Sequence, residues 1–286
     1  MPLPRPGRVR ALRAGTLGLL LGACAAATGT GARAGPPEKA DAAAVLDQFR
    51  RSVYAEPVYV EFDLRQMPRR GGERLFHGRL WGARNGRGPV TRFEVDAGRG
   101  GAPRRILVQS GPDAGIWVSD GPGNGSADEK ALLMPLVPGT EMTPFDIQMP
   151  YLYWLDVDRI GEKRIRGRQA YTYVFTPPAE FTAASPGIRS VMAYLDTQYD
   201  ALMQSEITGA NGRVAKTLSL LELKKVGDRW IPRDVDVRNE ETRDKTRLSV
   251  TGVAVGIAVN PATFDPFQLG VAAAPPPGAS ITRIAQ

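Results

Sequence analysis

The chain has 286 residues, a formal net charge of +7, one Cys and one His. A single Cys excludes an intramolecular disulfide framework and a Cys-rich metal site, and a single His excludes His-pair metal sites. The length is ample for a buried core, and 42% hydrophobic against 23% charged residues marks a globular chain.

Residues 1–34 carry Arg5, Arg8, Arg10, Arg13 and Arg33 and no acid. A basic stretch precedes an apolar run from Ala14 to Ala27, which is the layout of a bacterial secretory signal. The run is too short and too rich in Gly and Ala for a membrane span, which needs about 20 apolar residues. Its removal leaves +2 of the +7, so the basic balance reflects targeting and gives no support to a nucleic-acid partner. Two cleavage sites compete. Leu21-Gly22-Ala23-Cys24 has the form of a lipobox, which would lipidate Cys24 and anchor the chain. Ala32-Arg33-Ala34 has the small-x-small form of ordinary cleavage, which would release a soluble chain. Both predict export.

Residues 35–40 read as a linker. Asp41 is a candidate N-cap for a helix over Ala42–Tyr54, with Val45, Leu46, Phe49 and Val53 on one stripe, ended by Pro57. The period then changes to two. Val58, Val60, Phe62 and Leu64 share one face of a strand over Val58–Leu64. Further strands are predicted at Arg74–Trp81, Val90–Val95, Arg105–Gln109 and Ile116–Ser119, before a Gly-rich loop at Gly121–Lys130. Pro144–Leu155, with Phe145, Leu152 and Trp154, reads as a helical segment broken at Pro150. Strands resume at Glu162–Arg166 and Ala170–Thr176. Ser190–Asp196, Leu202–Thr208, Arg213–Leu223, Arg229–Arg238 and Lys245–Val255 read as an antiparallel meander, with Asn211-Gly212 and Gly227-Asp228 as turns. Phe264–Leu269 closes the domain, expected to span 41–270, and 271–286 is a low-complexity tail. The fold class is mainly β, with the 8–12-residue rhythm of sandwiches and barrels.

Few residues suggest chemistry. There is no Gly-x-Ser-x-Gly elbow, Walker A loop or His-Glu-x-x-His. Gly121-x-Gly123-x-Gly125 lacks the rest of a dinucleotide motif and a surrounding βαβ unit. Asp156-x-Asp158 and Asp234-x-Asp236 could each face one side of a strand, but a solvated face is the ordinary reading. His77 could serve as a hydrolase base, yet nothing in the sequence selects a partner Ser or Asp. Arg69-Arg70 and Arg104-Arg105 lack interleaved aromatics. No catalytic residue, cofactor or metal site is predicted.

The C-terminal third carries an ordered set of short motifs. These are Tyr194-Leu195-Asp196, Glu206-Ile207, Asn211-Gly212-Arg213-Val214, Lys216-Thr217-Leu218, Lys224-Lys225-Val226-Gly227, Trp230-Ile231-Pro232, Lys245-Thr246 and Phe264-Asp265-Pro266. Over about residues 190–269 the set resembles the outer-membrane lipoprotein-sorting proteins, the LolA/LolB-like carriers. The resemblance implies a single curved antiparallel sheet, an open half-barrel, with helices covering its concave face. It implies a cavity for the acyl chains of lipids or lipoproteins, and membrane contact or anchoring through Cys24. Candidate lining residues are Val45, Leu46, Phe49, Val53, Phe62, Leu64, Phe145, Leu152 and Trp154, each of which ordinary core packing would also explain. An acyl chain of about 14 methylenes gains on the order of 11 kcal/mol on leaving water. The bilayer offers nearly the same, so small lid motions could decide loading. Two other readings stand beside the carrier: an envelope hydrolase using His77, and a structural module that binds another envelope protein along the sheet.

Overall fold

The computed structural model describes residues 46–48, 55–96, 98, 101–111, 114–197, 201–227 and 229–285. Both expected cleavage sites, Cys24, the linker, and Val45, Phe49 and Val53 of the first helix lie outside these residues. Residues 46–48 are helical, as expected.

The strands are β1 (Val58–Met67), β2 (Arg74–Asn85), β3 (Gly88–Val95), β4 (Arg104–Gln109), β5 (Gly115–Ser119), β6 (Ser126–Ala127), β7 (Val157–Ile165), β8 (Arg168–Phe175), β9 (Ile188–Asp196), β10 (Leu202–Gly209), β11 (Val214–Val226), β12 (Arg229–Asn239), β13 (Lys245–Val255) and β14 (Thr282–Arg283). Besides helical residues 46–48, the described residues include two short helices, α1 (Pro144–Gln148) and α2 (Ala179–Ala184). All strands join one antiparallel sheet in the order β6-β5-β4-β3-β2-β1-β13-β12-β11-β10-β9-β8-β7, with β14 on β13. Two meanders therefore run outward from a central β1–β13 seam. The sheet does not close, because β6 and β7 are each paired on one side only. This is the expected open half-barrel, mainly β, with short helical pieces on its concave face.

The chain order follows from local chemistry. Asn211-Gly212 turns β10 into β11, with Gly212 at φ 76°. The β7–β8 turn is Arg166-Gly167, at φ 48° and 83°, the two positive values that a two-residue hairpin of type I′ requires. A bulge in β13 leaves Thr251 unpaired, since Glu61 faces Gly252 while Phe62 faces Val250. β12 pairs with β13 only over Asp234–Arg238. Beyond that point β13 accepts β14 at Gly252 and Val253.

Burial explains why β1 alternates so clearly. Val58, Val60, Phe62 and Leu64 enter the main core on the concave face. Tyr59 points the other way and packs on Trp81, at 5.3 Å between ring centroids, with Ala254 and Ile257. Part of the convex face of β2–β5 is covered. Residues 257–273 return across it, and Leu269 joins Ala83, Val90 and Leu107 in a second small core. Arg92, 1% exposed, holds this segment. Its guanidinium pairs with Glu94 at 2.7 Å and donates to the carbonyls of Thr263, Gln268, Leu269 and Val271. The Gly-rich loop meets the same segment, with the Gly125 amide donating to the Pro266 carbonyl. Gly125 thus serves chain packing, since a Cβ there would meet Leu269 at 2.7 Å.

Candidate functional site

The concave face is apolar across the sheet. Its main core runs from Ile116 and Val118 of β5, through Phe62 and Leu64 of β1 and Val250 of β13, to Phe175 of β8. What covers it is the chain between β6 and β7. That segment contains a 3₁₀ turn at Glu129–Leu132, helix α1 and a second 3₁₀ turn at Pro150–Tyr153.

Sequence dictates this shape. Thr143 caps α1, accepting from the Asp146 amide, while the Asp146 carboxylate accepts from the Thr143 amide at 2.8 Å. Pro144 fills the first helical position. Met149 then adopts a left-handed φ of 48°, and Pro150 starts the next turn. The expected break at Pro150 therefore falls between two short helical pieces. Together they bury a ring cluster. Tyr151 lies 5.3 Å from Phe175, Phe145 5.9 Å from Tyr151, and Trp154 5.0 Å from Phe181 of α2.

Polar latches tie the covering segment to one end of the half-barrel. Lys216 of β11 reaches the Asp146 carboxylate at 2.9 Å and the Glu141 carbonyl at 2.9 Å. Thr246 Oγ1 accepts from the Glu141 amide at 2.7 Å, and Asn239 Nδ2 donates to the Glu141 carboxylate at 3.2 Å. Gln66 Nε2 donates to the Gly139 carbonyl at 2.5 Å, and Arg74 donates to that of Pro138 at 3.3 Å. All five residues lie where β1 ends, β2 and β13 begin, and β11 meets β12. Burial holds the Glu141 carboxyl above the usual carboxylate range, although Asn239 and Lys216 pull it down.

Of the predicted lining residues, Leu46, Phe62, Leu64, Phe145, Leu152 and Trp154 all fall in the one concave-face core and are buried. The structure thus brings them into one core. The latch residues were missed by sequence reasoning. Thr143-Pro144-x-Asp146 was the available signal, a capping box before an apolar run. Lys216 gave none, because its partner is 70 residues away.

The other chemical candidates fall elsewhere. His77 lies on the convex face, 68% exposed at its side chain, with Nδ1 2.7 Å from Asp63. The adjacent polar hollow is lined by Glu61, Glu94, Asp96, Arg79 and Thr251, with no Ser or Cys. Such acidic walls do not suit an oxyanion. Asp236 is engaged by Arg247 at 2.7 Å and Lys245 at 3.2 Å, and Asp234 accepts from Ser249 at 2.5 Å. Asp156 and Asp158 are exposed. Among the described residues no group of three or more His, Cys, Asp or Glu could hold a metal ion. Among them, too, no helix is long and apolar enough to cross a membrane.

A family model described only as an uncharacterized protein matches residues 136–270. No curated protein matches the chain. Solved structures do. An outer membrane lipoprotein-sorting protein domain from Vibrio parahaemolyticus aligns at TM-score 0.65 and 14% identity, over 79% of this chain and 97% of its own. A DUF1329 family protein from Desulfovibrio piger aligns at 0.68 and 14%, over 80% and 96%. A LolA superfamily protein from Nitrosomonas europaea aligns at 0.61 and 12%, over 78% and 96%. The fold of this chain is that of the LolA-like, outer-membrane lipoprotein-sorting domains.

Proposed function

We propose that this protein is a non-enzymatic carrier or receptor of the bacterial envelope that holds the acyl chains of lipids or lipoproteins against its concave face. One observation carries the reading. The apolar face of an open sheet is covered by a segment of short helical pieces, and polar ties fasten that segment at one end of the sheet. A protein needing only stability would gain little from a buried carboxylate and a lysine under this cover. As a latch, they hold the cover while leaving its displacement within a few kcal/mol.

In this reading Phe62, Leu64, Phe145, Leu152 and Trp154 change partners, from one another to an acyl chain, as the segment lifts. Leu46, buried in the same core, contributes to the wall they form. The fold shared with lipoprotein-sorting domains and the basic, apolar N-terminal sequence support an exported protein. Whether Cys24 carries a lipid separates a receptor from a soluble carrier, and Cys24→Ser resolves it through membrane fractionation and lipid labelling. Native mass spectrometry of the protein purified from its own envelope without detergent tests the main proposal. Bound lipid or acylated peptide is expected, and a protein that arrives empty and refuses fatty-acyl probes overturns it.

A further inference from the structure

A groove of about 480 Å³ lies at the end of the half-barrel opposite the latch. Register explains it. β10 begins at Leu202, level with Leu221 of β11, while β11 and β12 continue as a projecting arm to Val226 and Arg229. The arm overhangs the start of β10, the end of β9 and the β7–β8 turn. Its walls are Leu202, Met203, Leu221, Leu223 and Trp230. Trp230 is left 43% exposed, which is unusual for an indole on a paired strand. The volume falls within the range of about 300–1,000 Å³ typical of small-molecule sites.

The rim is charged, with Arg166 and Arg168 beside Asp196 and Glu222. Arg168 pairs with Asp196 at 2.5 Å, and Arg233 pairs with Glu222 at 2.9 Å. Arg166 is left over. Its side chain lines the groove and donates to the Leu220 carbonyl at 3.1 Å. Among the described residues no carboxylate pairs with it. An apolar trough ending in a guanidinium that is in no ion pair complements an amphiphile with a single negative charge.

We propose that this groove binds a monoanionic amphiphile, its apolar body along Leu221, Leu223 and Trp230 and its carboxylate or phosphate on Arg166. Leu202 also belongs to the concave-face core, but Leu221, Leu223 and Trp230 do not, so binding here is independent of the carrier reading. A fatty acid brominated in mid-chain quenches tryptophan fluorescence on contact, and titrating the purified, delipidated protein with it tests the proposal. Most of the quenching should disappear in Trp230→Phe and persist in Trp154→Phe. Arg166→Glu should weaken binding about tenfold, the scale of one hydrogen bond to a charged group, while Arg166→Lys keeps most of it. Vesicles of brominated phosphatidylglycerol distinguish the sources. Quenching that stays with the protein after the vesicles are pelleted identifies a lipid taken from a bilayer. Quenching by the free acid alone identifies a soluble anion. Quenching lost in Trp154→Phe but not in Trp230→Phe overturns the groove and leaves the concave-face reading intact. A brominated alcohol bound as tightly as the acid also overturns it.

Discussion

Lys216→Met tests the latch directly. The Lys216 ammonium is about four-fifths buried at its side chain and bonds to both the Asp146 carboxylate and the Glu141 carbonyl, each at 2.9 Å. Asp146 retains its two Thr143 bonds, from the amide and from the hydroxyl, both at 2.8 Å. The loss is therefore smaller than the roughly 3–5 kcal/mol of a fully orphaned buried ion. One charged hydrogen bond to the carboxylate sets it at about 2 kcal/mol. If the cover opens as a unit, that loss multiplies its open population about 30-fold. Hydrogen exchange resolves this amide by amide. The Asp146 and Met149 amides, bonded to Thr143 and Phe145 carbonyls, should exchange about 30-fold faster, while those of β1 and β13 keep their rates. A double variant with Asp146→Asn should be little worse than the worse single one. Uniform acceleration across sheet and cover would refute the latch and make Lys216 an ordinary contributor to global stability.

Other expectations follow from the same geometry. Burial raises the Glu141 carboxyl, so the folded state binds more protons than the unfolded state just above the ordinary carboxylate range. That contribution to stability is complete below the unfolded value and is lost as pH rises through the folded one. Glu141→Gln should flatten this slope in chemical denaturation at a series of pH values. Arg92→Met removes the donor to four carbonyls of the returning segment and should cost about 3 kcal/mol, with residues 264–271 becoming the first to be cut in limited proteolysis. Gly78→Ala places a Cβ within 2.3 Å of the Phe62 ring and should lower stability by about 1–3 kcal/mol, read as a lower denaturation midpoint. His77→Ala should leave fold and stability unchanged, since its bond to Asp63 is solvent-exposed.

The half-barrel was legible wherever one face is buried and the other is wet. β1 reads as a strand from Val58, Val60, Phe62 and Leu64 alone, and the β9–β13 meander from its alternation and from Asn211-Gly212. β3 was harder in principle. Arg92 and Glu94 are both buried, because residues 257–273 cover a face that would otherwise be solvated. A polar residue buried by a distant segment leaves no local period. The short α2 helix went unread because it buries none of its residues fully and carries no side-chain cap. The Arg166-Gly167 turn was missed because Arg rarely takes a positive φ. In the candidate site, apolar periodicity led to residues of the concave-face core. The latch rests on pairs far apart in the chain, Lys216 with Asp146 and Thr246 with Glu141, and Lys on a strand ordinarily reads as solvated.

The most direct test of the concave-face proposal is where an acyl chain touches the protein. A photoreactive side chain at Leu152, under the cover, and another at Arg238, on the convex face of β12, can be compared after incubation with a radiolabelled acyl lipid. The account predicts crosslinking at position 152, increased by Lys216→Met, and none at position 238. Equal labelling at both positions, or none at position 152 with the latch removed, would contradict it.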